Sequence, residues 1–98
     1  MSSTNTPEYQ EFLKRLKAAR KRLKVTQKSL ATSLGVHQPY VSKYENGERR
    51  LDVVEFLNVA QAIGIRPMHI LEGLLANTGA KPLRKVLRTR LLTARTRR

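Results

Sequence analysis

The sequence predicts an all-α fold: five helices around one small core, followed by a strongly basic C-terminal segment. Three observations carry this. Apolar residues recur at three- and four-residue spacing, and no segment sustains the alternation of a strand. The periodic stretches open on a capping residue or a proline, and three of them close on glycine or on Asn-Gly. The 98 residues contain no Cys, so neither a disulfide frame nor a thiolate metal site replaces a packed core. The length suits one small domain with a tail, residues 1–6 being read as a flexible N-terminus, 7–76 as the domain and 77–98 as a basic extension.

The elements follow in order. Thr6 is placed to cap a first helix, with Pro7 at its first position, where the missing N–H is not needed. Phe12, Leu13, Leu16, Ala19, Arg20 and Leu23 share one side, and Lys14, Arg15, Lys17, Lys21 and Arg22 face water or a partner. Lys24-Val25-Thr26 interrupts the run, and Thr26 caps a second helix over 27–34 with Leu30, Ala31 and Leu34 inward. Gly35 stands where a chain leaving a helix needs a left-handed residue. A third helix spans 38–46, Pro39 being tolerated in its first turn. Val41 and Tyr44 face inward, and Asn46-Gly47 closes it. Asp52 and Glu55 have capping-box spacing and open a fourth helix over 53–63. Its apolar side is expected from Val53, Val54, Leu57, Ala60 and Ile63, and Gly64 stops it. Pro67 starts a fifth helix over 67–75, with Met68, Leu71, Leu74 and Leu75 available for burial.

Charge narrows the function. The chain carries 20 Lys+Arg against 7 Asp+Glu, a formal net charge of +13. Residues 1–76 hold 12 basic and 7 acidic residues, a balance of +5; residues 77–98 hold 8 basic residues and no acidic one, a balance of +8. Such a surface favours polyanions, nucleic acid first and an anionic membrane surface second. No apolar run approaches the roughly 18–20 residues of a membrane span, and residues 1–7 lack the features of a secretory signal. His37 and His69 are too far apart to form a local ligand pair. No carboxylate pair, nucleophile–base pair, metal cluster or phosphate loop is apparent, so neither an enzyme nor a cofactor is expected, and the protein is expected to be cytoplasmic, at the nucleoid of a prokaryote or phage.

Two short helices joined through a glycine, inside a basic domain, form a candidate helix-turn-helix. The major groove of DNA admits one α-helix, whose N-terminal side chains reach base edges while the preceding helix crosses the backbone. Here the sequence resembles the Cro/lambda-repressor type of helix-turn-helix domain, the xenobiotic-response-element (XRE) family. The resemblance rests on Arg20, on Thr26-Gln27-Lys28-Ser29-Leu30-Ala31, on Leu34-Gly35-Val36, and on the run from Gln38 through Tyr44-Glu45-Asn46-Gly47 to Arg50. It extends to Leu57, Ala60, Ile63-Gly64-Ile65 and Leu71.

The resemblance implies roles residue by residue. Gln27, with Lys28 beside it, matches a phosphate contact that also braces the first residue of the recognition helix. Gln38 matches the first base-reading position, where a Gln amide can bond adenine N6 and N7 together, worth about 1–3 kcal/mol of discrimination. Pro39 offers only apolar contact, and Tyr40 is expected on the outer face of the helix, where an exposed aromatic favours DNA. Ser42 and Lys43, one turn on, match base or phosphate contacts. His37 reads as a surface turn residue or a phosphate contact, Asn46 as a phosphate contact, and Arg49 and Arg50 as loop residues beside the DNA backbone. Arg20 and Glu45 match a partly buried ion pair. Two departures stand out: Lys24 holds a turn position usually given to Gly, and His37 stands where Ser or Thr commonly caps.

Lys14, Lys17, Lys21 and Lys24 read either as a solvated helix face or, Lys17 and Lys21 first, as phosphate contacts. His69 reads as an exposed helix residue and Tyr9 as a packing residue. In the tail, Leu83, Val86, Leu87 and Leu91 have helical spacing behind Pro82, so a sixth helix over 82–92 is the favoured reading. A disordered basic arm that folds on DNA and an amphipathic membrane helix are its alternatives. Ile70, Leu74 and Leu75 are expected to form a homodimer surface. The function implied is a sequence-specific double-stranded DNA-binding regulator, a repressor on a palindromic operator. The alternatives are an antitoxin that represses its own operon and binds a toxin, or a non-specific architectural DNA-binding protein.

Overall fold

The computed structural model describes residues 6–77; the favoured sixth helix and the basic tail beyond Asn77 lie outside them. Five helices follow one another: α1 (Pro7–Arg22), α2 (Gln27–Leu34), α3 (Gln38–Glu45), α4 (Val53–Ile63) and α5 (Pro67–Asn77). The described residues contain no strand. The expected boundaries hold within two residues, because the chemistry that sets them is local. The Thr6 side chain accepts from Tyr9 N and the Thr26 side chain from Ser29 N. Asp52 and Glu55 form the reciprocal capping box. Gly35 and Gly64 take left-handed conformations at φ 71° and 96°. Lys24 also turns left-handed, at φ 60°, a conformation that crowds Cβ against the following carbonyl. α5 runs two residues past its expected end, to Asn77.

α1 packs across α3, α4 and α5, while α2 packs on α3 and α4. Leu16, Leu30, Val41, Tyr44 and Val59 are fully buried at the centre. Phe12 meets Phe56 edge-on at 5.1 Å between ring centroids, an arrangement suited to the aromatic quadrupole. Tyr9 lies beside Phe12, and its hydroxyl accepts a 2.9 Å hydrogen bond from the Leu51 N–H. That bond joins the start of α1 to the loop before α4. The Tyr44 hydroxyl is buried without a hydrogen-bond partner among the described residues, and burial pushes its pKa well up. Where α1 meets α5, the Arg15 guanidinium lies where a side chain at Gly73 would begin, 2.5 Å from an ideal Cβ there, and it also pairs with Glu11 at 2.9 Å.

The core departs from the sequence expectation in three places. On α4, Val53, Val54 and Leu57 are 73%, 65% and 45% exposed, while Phe56, Val59, Ala60 and Ile63 are buried. The stripe Phe56-Val59-Ala60-Ile63 keeps the core spacing, and Leu57 stands about 100° round the helix from Phe56. Val53 is in phase with that stripe but lies in the first turn, at the rim of the core. On α5, Met68 is exposed and Ile70 is buried, so Ile70 belongs to the core and not to a dimer surface; Leu74 and Leu75 are half-buried. Leu23, expected inward, is exposed at the end of α1.

Candidate nucleic-acid interface

The α2–turn–α3 unit is built from short local signals. α2 ends on Gly35, whose N–H bonds back to Thr32 O, and the Val36 N–H reaches Ala31 O. The chain then extends through His37, which caps α3 without a side-chain bond. Pro39 falls in the first turn, where no N–H is called for. Val41, Tyr44 and Glu45 of α3 turn inward, and Gln38, Pro39, Lys43 and the cap residue Asn46 are exposed along the other side, with Ser42 half-exposed between them. An eight-residue helix thus presents amide, hydroxyl and ammonium groups on one open face.

Behind that face lies a connected polar chain. Arg20 donates from Nε to Glu45 Oε2 at 2.7 Å and from Nη2 to Glu45 Oε1 at 3.1 Å. Its Nη1 donates to Val25 O at 2.8 Å. Both side chains are buried, and the paired geometry is the bidentate one that arginine favours. Glu45 Oε1 accepts a further bond from Gln27 Nε2 at 2.9 Å. Gln27 Oε1 in turn accepts from Gln38 Nε2 at 3.4 Å. The first residue of α3 is therefore linked, through the first residue of α2, to an ion pair inside the domain.

A second set of contacts fixes the loop after α3. Arg49 donates from Nη2 to Glu55 Oε2 at 2.8 Å and from Nη1 to Glu55 Oε1 at 3.3 Å. Its guanidinium lies 4.5 Å from the centre of the Tyr40 ring. Tyr40 packs edge-on to Tyr44 and is half-buried. Burial first, then the Glu55 carboxylate, holds the Tyr40 phenol above its ordinary pKa against the opposing pull of Arg49. The Arg49 hydrogen bond, with the Asp52 N–H, holds the Glu55 carboxyl below its ordinary value. Tyr40 and Arg49 thus form a clamp between α3 and α4, with part of each left exposed. Arg50, one residue on, is exposed and stacks over the Tyr9 ring at 4.6 Å. Lys28 is exposed on α2.

The helix-turn-helix family model matches residues 16–70, more than half of the chain. The chain belongs to the XRE-type helix-turn-helix family. An XRE-family-like protein from Pseudomonas syringae pv. tomato str. DC3000 is similar in structure, with a TM-score of 0.70 at 48% identity, over 72% of this chain and 87% of that one. The restriction-modification controller protein C.AhdI from Aeromonas hydrophila is similar with a TM-score of 0.56 at 32% identity, over 61% and 91% of the two chains. Among curated proteins, the HTH-type transcriptional regulator YqaE of Bacillus subtilis is 32% identical over 62 residues. That match takes in 63% of this chain and 53% of YqaE, so the chain spans about half the length of the curated relative.

Within this XRE-type frame, the structure brings Gln27, Gln38, Ser42, Lys43 and Asn46 to the α2–α3 face and sets Arg49 and Arg50 on the loop behind it. Two contacts lie beyond the sequence reading. Glu55 appears there only as a capping residue, yet it also holds Arg49, six residues back across a turn. Glu45 appears as the partner of Arg20, yet it also accepts from Gln27. No helix among the described residues is long and apolar enough to cross a membrane.

Proposed function

We propose that this chain is a transcriptional repressor that reads double-stranded DNA with α3 and binds a palindromic operator as a homodimer. The observation that carries the reading is the open face of α3. Gln38, Pro39, Ser42, Lys43 and Asn46 share it, and Gln38 is braced from behind by Gln27. Gln38 has amide groups to read a base edge, with adenine the bidentate match. Lys43 and Asn46 supply phosphate or base contacts further along. The first-turn N–H groups of α2, beside Gln27 and Lys28, form an electropositive end suited to a phosphate. His37, Tyr40, Arg49 and Arg50 flank this surface. The clamp on Arg49 leaves its cation on the loop, held in place by Glu55.

The pairing surface in this proposal is the exposed apolar group Val53, Val54 and Leu57 of α4 together with half-buried Leu74 and Leu75 of α5. Two-fold symmetry then sets half-sites one helical turn apart, about 34 Å. Occupancy of a promoter is the means of repression. The test is selection of bound sites from a random DNA library. The expected result is a two-fold symmetric motif, with Gln38→Ala relaxing one position in each half-site and Arg49→Ala weakening all sequences alike. Recovery of no motif, or the same motif with Gln38→Ala, overturns the reading.

A further inference from the structure

We infer that Glu45, buried inside the domain, sets the base preference of Gln38 by fixing which end of its amide faces the DNA. The inference rests on the reading of α3 as the recognition helix and adds a positioning residue to it. A carboxylate can only accept hydrogen bonds. Glu45 spends both oxygens on Arg20, and Oε1 also takes the Gln27 amide. Arg20 is itself anchored by Val25 O, and either carboxylate oxygen offers Gln27 an acceptor only. Gln27 must therefore present its nitrogen to Glu45 and its oxygen outward.

An amide oxygen, too, can only accept. Gln38 meets Gln27 Oε1 with its own Nε2, which leaves Gln38 its oxygen and one N–H. One acceptor beside one donor is the set that matches adenine N6 and N7. With the chain reversed, Gln38 would give its oxygen to Gln27 and keep two N–H groups. Two donors match guanine O6 and N7. Glu45 thus biases the site toward adenine and against guanine without touching DNA. Gln38 carries the contact, and Gln27 transmits the orientation.

The experiment compares bound-site selections for the wild-type protein, Gln38→Ala, Gln27→Met, Glu45→Gln and Arg20→Lys, with circular dichroism melts for each. Gln38→Ala identifies the operator position. Gln27→Met removes the relay but keeps the Arg20–Glu45 pair. Glu45→Gln keeps the shape but allows the amide chain to run either way. Arg20→Lys weakens the fold while leaving an acceptor-only group at 45. The expected result is an adenine preference in the wild type at the Gln38 position. Its adenine-to-guanine ratio falls about 5-fold or more in Gln27→Met and Glu45→Gln, with the other positions unchanged. Arg20→Lys melts lower but keeps the ratio. A wild-type ratio in folded Gln27→Met, or a wild-type preference for guanine, overturns the inference and leaves the recognition-helix reading standing. If Glu45→Gln does not fold, a wild-type ratio in Gln27→Met still overturns the inference. Loss of any position assignable to Gln38 removes the recognition-helix reading itself, and this inference with it.

Discussion

Arg15 and Arg20 lie five residues apart on α1, and both pair with a glutamate, yet their environments differ. The Arg15 side chain is 35% exposed and pairs within its own helix, whereas the Arg20 and Glu45 side chains are 8% and 1% exposed. Exposed helix pairs contribute about 0.3–0.5 kcal/mol, and stranding one partner of a buried pair costs about 3–5 kcal/mol. Arg20→Ala is therefore expected to lower the melting temperature by at least about 12 °C in a domain this size, and Arg15→Ala by a few degrees; equal melts would refute the difference. Tyr44 presents the opposite case. Its hydroxyl is buried with no partner among the described residues, so its desolvation is uncompensated. Tyr44→Phe is expected to melt at or above the wild type, with a gain of up to about 1 kcal/mol. Loss of stability in that variant would mean the hydroxyl is satisfied by water.

At the scale of elements, local chemistry accounts for the helix ends and tertiary packing for their faces. Thr6, Thr26, Asp52, Gly35 and Gly64 act on neighbours within a few residues, so their positions in the chain suffice to place the boundaries. The phase of α4 required a choice between adjacent apolar residues, Phe56 and Leu57, and the rings of Tyr9 and Phe12 favour Phe56. In the candidate site, the open face of α3 follows from its helical spacing and from the family resemblance. The Glu45–Gln27 and Arg49–Glu55 contacts join residues on different elements, which periodicity does not connect. The Arg49–Glu55 clamp gives a pH dependence with a definite sign. The carboxyl is held below its ordinary value of 4.5, so its contribution is fully present above that value and is lost as pH falls through the lowered one. Glu55→Gln is thus expected to melt below the wild type at neutral pH, with the gap closing in acid. A gap independent of pH between 7 and 3, approximately the range spanning the ordinary carboxyl values, would show that the charge of Glu55 contributes nothing.

For the molecule as a whole, net charge is distributed unevenly along the sequence. The described domain ends with α5, while the larger share of the net charge, +8, belongs to residues 77–98. Among the described residues, exposed apolar side chains gather on α4. Isolated apolar surface residues are ordinary, but three on adjacent positions of one short helix make a patch that a second copy can cover. Val54→Lys is expected to leave the melt of the dilute protein within about 0.5 kcal/mol of wild type. On the proposed pairing, it should shift the sedimentation of concentrated protein from dimer toward monomer. An unchanged dimer would move the pairing surface elsewhere, to the α5 leucines.

The close approach of Arg15 to Gly73 also constrains how this sequence can vary. A side chain at 73 and the tip of the Arg15 side chain compete for one volume, so a residue larger than glycine at 73 must displace the flexible end of Arg15, whereas shortening residue 15 leaves Gly73 undisturbed. A larger residue at 73 is compatible with the α1–α5 seam when residue 15 shortens or swings away from Glu11. Residues 15 and 73, remote in sequence, are therefore coupled in one direction: a side chain at 73 is accommodated best when residue 15 is short.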